Sequence, residues 1–278
     1  MKIIMWGIAL GILVLGCGPW LQSCWGLKDK ESNVAWDRIK QMGTLANLTY
    51  GEDEAIIAEY GDKAWIKVIE DQQVKIVMVT NDKTKEHWLG IRGTANKHNA
   101  LMDAQYLKEK DSVLGIQFHK GFHRLAKAAY DEFTPRLKPG YKIWVTGHSL
   151  GGAGAAILAM YYSESGVGLE QCVTFGQPKV TNEEGVKKFW DMPLLRIVDN
   201  KDIVPLVPPL TIISALHGAY RHVGEEIILK PEGHWLWFSK HNANRMLITG
   251  TWSNLFHESV EDHFMRNYLA KINKIIAQ

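Results

Sequence analysis

The sequence predicts an α/β fold with a mostly parallel central sheet, and a few observations carry that prediction. Short apolar runs that read as strands alternate with helical stretches along most of the 278 residues. One such run, Ile143-Trp144-Val145, leads into Gly147-His148-Ser149-Leu150-Gly151 and then into the small, apolar stretch Ala153 to Met160. This is a strand, a sharp turn and a tightly packed helix. No repeat, low-complexity tract or Pro/Gly-rich linker divides the chain, so residues 25–278 read as a single domain behind a leader at 1–24. With 46% hydrophobic residues, a chain of this length can bury a full core.

The leader opens with Met1-Lys2 and the apolar run Ile3 to Leu15, the pattern of a secretory signal. Leu13-Val14-Leu15-Gly16-Cys17 resembles a bacterial lipoprotein signal, which makes Cys17 a candidate for acylation after cleavage. Two acyl chains hold a protein stably on a membrane where one does not. Free secretion and an uncleaved anchor are the alternatives. Against the anchor, Gly16, Gly18, Pro19, Gln22 and Ser23 interrupt the apolar span of about 20 residues that crossing requires. The expectation is export, with a membrane surface as neighbour. Besides Cys17 only Cys24 and Cys172 remain, too few for a disulfide framework, and whether they pair is open. Cys172 sits in an apolar run and reads as a buried thiol.

Val34, Ala35, Ile39, Met42 and Leu45 recur at helical spacing, and Ala55 to Tyr60 suggests a second short helix. Ala64 to Glu70 and Val74 to Thr80 read as a hairpin, and Glu86 to Ile91 as a third strand ending at Arg92-Gly93-Thr94. A helix is expected from His119 to about Arg136, stopped by Pro139-Gly140. Further strands are expected at Cys172 to Phe175, Leu194 to Val198 and Val223 to Leu229, with a helix at Glu183 to Trp190. Trp235 to Thr249 fits no element. The last helix is expected over Val260 to Ile276, with Phe264, Tyr268, Leu269 and Ile272 on one face.

The chemistry centres on Ser149. A G-x-S-x-G turn between strand and helix strains the backbone at the serine, exposes its hydroxyl and aims the amides of a helix N-terminus at a developing oxyanion. In this architecture an acid and then a histidine follow the serine in sequence. Asp199 and Asp202 both stand at a strand end near Pro205. For the histidine, His217, His222, His234, His241, His257 and His263 all follow, and a place at the start of the last helix favours His257 and His263. The formal net charge is only +2 and no basic block stands out, so nothing calls for nucleic acid. No metal or cofactor is expected. Of the eleven tryptophans, Trp235 and Trp237 are candidates for an apolar or interfacial surface, with core and rim positions as the default.

Several of these stretches together resemble the class 3 lipase family, the fungal-type triacylglycerol lipases and their relatives. Ile91-Arg92-Gly93-Thr94 is similar to the family's oxyanion loop, and His119-Lys120-Gly121-Phe122 to its His-x-Gly-Phe. Gly147-His148-Ser149-Leu150-Gly151-Gly152 matches its elbow without change, and Thr174-Phe175-Gly176-Gln177-Pro178 its Thr-Phe-Gly-x-Pro. Asn200-Lys201-Asp202-Ile203-Val204-Pro205 resembles the segment that carries the acid, and Asp262-His263 before Tyr268-Leu269 the segment that carries the base. The resemblance implies an α/β-hydrolase fold and an esterase or lipase whose catalytic residues are Ser149, Asp202 and His263, with Thr94 and Leu150 holding the oxyanion. It also makes His222, in His222-Val223-Gly224-Glu225-Glu226, structural. Phospholipase A1 activity, acyl transfer to an alcohol, and a non-catalytic module that binds lipid or protein on an inherited scaffold are the alternatives. The family's lids often carry a tryptophan, whereas Ala95 to Ala104 offers only Leu101 and Met102 beside Asp103, which weakens the expectation of strong interfacial activation.

Overall fold

The computed structural model describes residues 34–71, 73–93, 108–206, 219–240 and 260–278. Cys17, Cys24, Thr94 and the segment Ala95 to Ala104 lie outside the described residues, as do His217, His241 and His257.

The chain begins with α1 (Trp36–Leu48) and α2 (Asp53–Tyr60) and continues through β1 (Ala64–Ile69), β2 (Val74–Asn81) and β3 (Glu86–Ile91). A small hairpin, β4 (Lys108–Lys110) and β5 (Gln117–His119), precedes α3 (Lys120–Phe133). Next come β6 (Lys142–His148), α4 (Leu150–Ser165), β7 (Leu169–Phe175), α5 (Glu183–Lys188) and β8 (Leu194–Asp199). The edge is completed by β9 (Glu225–Leu229) and β10 (Trp235–Phe238), and α6 (Met265–Ile276) closes the chain.

The central sheet has the order β1-β2-β3-β6-β7-β8-β9-β10. Strands β3, β6, β7, β8 and β9 run parallel, while β1, β2 and β10 pair antiparallel with their neighbours at the two ends. Mostly parallel, with helices on both faces, is the arrangement the sequence predicts. Alternation along each strand divides the core in two. On β7, Cys172 joins the cluster under α3 and α4, whereas Val173 and Phe175 join the one under α1 and α6. Helix α4 can be buried along nearly its whole length because it is built from Gly, Ala and aliphatic residues.

Buried polar groups pin the layers together. Glu86, at the start of β3, accepts from Arg38 Nη2 at 3.0 Å and from the indole nitrogens of Trp88 and Trp144 at 3.2 Å each. The Arg38 guanidinium lies 4.3 Å from the Trp144 ring centroid, so α1 is clamped to the sheet by charge and by cation–π contact at once. Arg196 and Glu226 stand directly opposite on β8 and β9, fully buried, with Nη1 and Oε2 2.5 Å apart. The hairpin is held by Asp111, which accepts from Tyr161 on α4 at 2.6 Å and faces His123 Nε2 on α3 at 2.9 Å.

The structure departs from the sequence reading at a few elements. Trp235 to Phe238, unassigned from the sequence, adds an antiparallel edge strand to β9. An uninterrupted Trp-Leu-Trp-Phe run has neither helical nor alternating periodicity, and pairing alone decides it. Trp235 and Trp237 are partly buried, Trp235 edge-on to Trp36 at 5.4 Å, so they serve the rim of the core. The strands of the β4–β5 hairpin are too short to leave a pattern. The last helix starts at Met265 rather than Val260: a 3-10 turn, Val260–His263, comes first, and Phe264 is extended at φ −77 and ψ 137. Among the described residues no helix is long and apolar enough to cross a membrane.

Candidate active site

Strand β6 ends at His148 and α4 begins at Leu150, so Ser149 makes the whole turn between them. Its backbone sits at φ 60 and ψ −129, a conformation that costs a non-glycine residue about 1–3 kcal/mol. The fold enforces it: the Ser149 amide donates to the Phe175 carbonyl at 3.0 Å, and the Ser149 carbonyl accepts from Ala153 at 3.1 Å. A Cβ on Gly151 would collide with the Ile91 carbonyl and stand 2.7 Å from the Gly93 nitrogen. Only glycine lets the first turn of α4 lie on the end of β3, which brings the strand leading into Thr94 beside the elbow. The Leu150 amide is then one of the N-terminal donors of α4 for which the helix itself offers no acceptor.

Of the two candidate acids, tertiary contacts divide the work. Asp199 Oδ1 accepts from Lys271 on α6 at 2.7 Å, and burial raises its carboxyl above the ordinary value despite that cation. Asp202 instead takes the histidine. Its Oδ1 accepts from the Val204 amide at 2.8 Å, and its Oδ2 lies 2.6 Å from His263 Nδ1. Tyr268 on α6 donates to the same Oδ2 at 2.5 Å. Burial first, and then the charge of Asp202, push the Tyr268 phenol well above its usual pKa and keep it a donor. The side chains of Asp202 and His263 are both 0% exposed. A carboxylate accepting at Nδ1 fixes that nitrogen as the protonated one, which leaves Nε2 with a lone pair, and Nε2 has no hydrogen bond among the described residues.

Gly176, at φ +54, makes room for this pair: a Cβ there would lie 2.7 Å from Asp202 Oδ2 and 2.8 Å from His263 Cε1. His222 stands elsewhere, its Nε2 2.7 Å from the Pro205 carbonyl, and His234 is exposed. From the sequence Tyr268 belongs to the motif that follows His263 but carries no role of its own. Its place on the inner face of α6 was legible there, but its contact with an acid on another element was not.

Burial, with Arg196 and Lys179 adding repulsion, holds His222 well below the usual imidazole pKa. In the unfolded chain a histidine titrates near 6.5, so beneath that pH the unfolded state takes up a proton the native state refuses. Stability is full above about pH 6.5 and declines as the pH falls, by up to about 1.4 kcal/mol per pH unit from this residue. Thermal midpoints measured between about pH 7.5 and 5 are expected to drop less steeply in His222→Gln, whose amide keeps a donor toward Pro205. Equal slopes would exclude His222 as the cause.

Residues 88–212 match the class 3 lipase family. The segment begins on β3 and runs through the elbow to just past Asp202. The chain is 30% identical over 179 residues to a lipase of Rhizomucor miehei, covering 59% of this chain and 47% of that one. It is 32% identical over 228 residues to a secreted mono- and diacylglycerol lipase of Gibberella zeae, covering 74% and 51%. The chain thus spans about half the length of these relatives. The solved structure of lipase II from Rhizopus niveus superimposes with a TM-score of 0.67 at 21% identity, over 82% of this chain and 92% of that one. That likeness speaks for the fold, which is the α/β-hydrolase fold.

Proposed function

We propose that the chain is a serine hydrolase that cleaves carboxylic esters of lipids. The observation that carries this reading is the buried Asp202–His263 hydrogen bond, with His263 packed on His148, the residue before a serine held in a strained strand-to-helix turn. His263 Nε2 removes the Ser149 proton as Oγ attacks the ester carbonyl. The tetrahedral oxyanion is met by the Leu150 amide and by Thr94, each donor worth roughly 3 kcal/mol. Collapse breaks the ester C–O bond, and the imidazolium returns its proton to the leaving alcohol. Water then repeats the sequence on the acyl-serine, releasing the acid. Asp202 keeps the imidazole in the required tautomer and balances its charge. The intact set Ser149, Asp202 and His263 supports catalysis over a purely binding role for the scaffold.

The class 3 match and the lipases among its relatives support neutral glycerides as substrate, with phosphatidyl esters as the rival class. Export, with acylation at Cys17, fits an enzyme that meets its substrate at a membrane surface, and residues 25–278 form the catalytic domain in this reading. Hydrolysis of p-nitrophenyl esters from short to long acyl chains, then of diacylglycerol against phosphatidylcholine, tests it. Turnover that Ser149→Ala abolishes is expected, and a folded protein inactive on all of these esters overturns it.

Gly176→Ala probes the same geometry without replacing a reacting group. Its methyl would press on the carboxylate–imidazole pair, and a misplacement of about 1 Å costs on the order of 100-fold. The expected result is a fall in kcat of about that size. Unchanged kcat would mean that the pair does not act from this position.

A further inference from the structure

We infer that Tyr50 and His148 form a hydrogen-bonded strut that fixes the backbone of His263 against the elbow and against the end of β3. Both are then positioning residues for the reaction proposed above, on which this inference rests. His148, the residue before the serine, is fully buried and touches the histidine twice. Its Nε2 lies 2.6 Å from the His263 carbonyl, and its ring stands 4.4 Å from the His263 ring at an interplanar angle of 33°. A carbonyl can only accept, so Nε2 carries the hydrogen, and in the neutral imidazole Nδ1 is left as an acceptor. Tyr50 Oη fills that place at 2.9 Å. Burial pushes the Tyr50 phenol above its usual pKa, so it holds the proton it donates, and the same oxygen takes a hydrogen bond from the Gly93 amide.

One tyrosine and one histidine therefore join three segments distant in sequence: the end of β3 just before Thr94, the elbow, and the turn that carries His263. That turn needs an anchor. His263 ends a 3-10 turn and belongs to neither the sheet nor α6. The bond to Asp202 sets the direction of the ring, but it leaves the depth of the backbone to other contacts. The His148 donor supplies that depth, and Tyr50 holds His148 in the tautomer that can donate.

The test compares His148→Leu, which loses both bonds, with His148→Gln, whose amide nitrogen can reach the position of Nε2, and with Tyr50→Phe. With p-nitrophenyl butyrate, His148→Leu is expected to lose about 100-fold in kcat at nearly constant KM. His148→Gln should recover most of that loss, and Tyr50→Phe should lose about 10-fold. Proton NMR of the hydrogen shared by His263 Nδ1 and Asp202 gives a readout without substrate. The resonance should shift or broaden in His148→Leu and return in His148→Gln. Wild-type kcat and an unmoved resonance in folded His148→Leu would overturn the strut, and so would equal losses in Leu and Gln. If the wild-type protein hydrolyses no ester, the proposed function falls while the resonance still decides the strut.

Discussion

Ser149→Ala is expected to lower kcat on p-nitrophenyl esters by about 10⁴- to 10⁶-fold with the fold unchanged. The proposed covalent step has no substitute for the Oγ nucleophile, so what remains is the contribution of binding and the oxyanion donors. Circular dichroism and thermal unfolding should match wild type, because the side chain makes no hydrogen bond that the described packing depends on. Ser149→Gly separates strain from chemistry. It is equally inactive, yet it relieves a backbone at φ 60 that costs a non-glycine residue about 1–3 kcal/mol. Part of that relief is offset by glycine's greater freedom in the unfolded chain. A higher melting point for the glycine variant than for the alanine variant is the expected signature of strain stored at the elbow. Retained turnover in Ser149→Ala would remove the mechanism.

Arg196→Met is expected to produce the largest loss of stability, about 3–5 kcal/mol. It strands the Glu226 carboxylate between β8 and β9 at 2% exposure, with its ion-pair partner gone. In a chain of this size that corresponds to a fall in Tm of about 10 °C, readable by calorimetry. Replacing both partners, Arg196→Met with Glu226→Leu, should restore most of the loss, since an apolar pair leaves no charge uncompensated. Burial lowers the Arg196 pKa while Glu226 raises it, which is why the pair must be removed as a pair. If the single variant melts within a degree or two of wild type, the ion pair does not carry this part of the sheet.

Some of this molecule is written locally in its sequence. The elbow from Gly147 to Gly152, the apolar strand ahead of it and the small-residue helix behind it are contiguous, and each imposes its conformation on a handful of neighbours. The strands β2, β3, β7 and β8 and the helices α1, α3 and α4 are legible for the same reason: periodicity is a local property of a buried face. The choice between Asp199 and Asp202 is not of that kind. Both stand at one strand end, and the residues alone leave both open until the resemblance to a family selects one. The structure divides them because Lys271 on α6 reaches Asp199 while His263 and Tyr268 reach Asp202, contacts that span 61 to 72 positions of the chain.

The same distinction covers the elements the sequence left out. The strand β10 exists because β9 offers it a free edge, and the break at Phe264 lies where the turn carrying His263 meets His148, 115 positions away. By itself the sequence determined the α/β architecture and the strand-to-helix turn at Ser149, because turn chemistry and burial periodicity act over a few residues. Which carboxylate meets which histidine, and at what depth the histidine sits, was decided only when packing brought α1, the elbow and α6 together. Hydrogen-bond partners across such separations are chosen by space, which no stretch of sequence encodes alone.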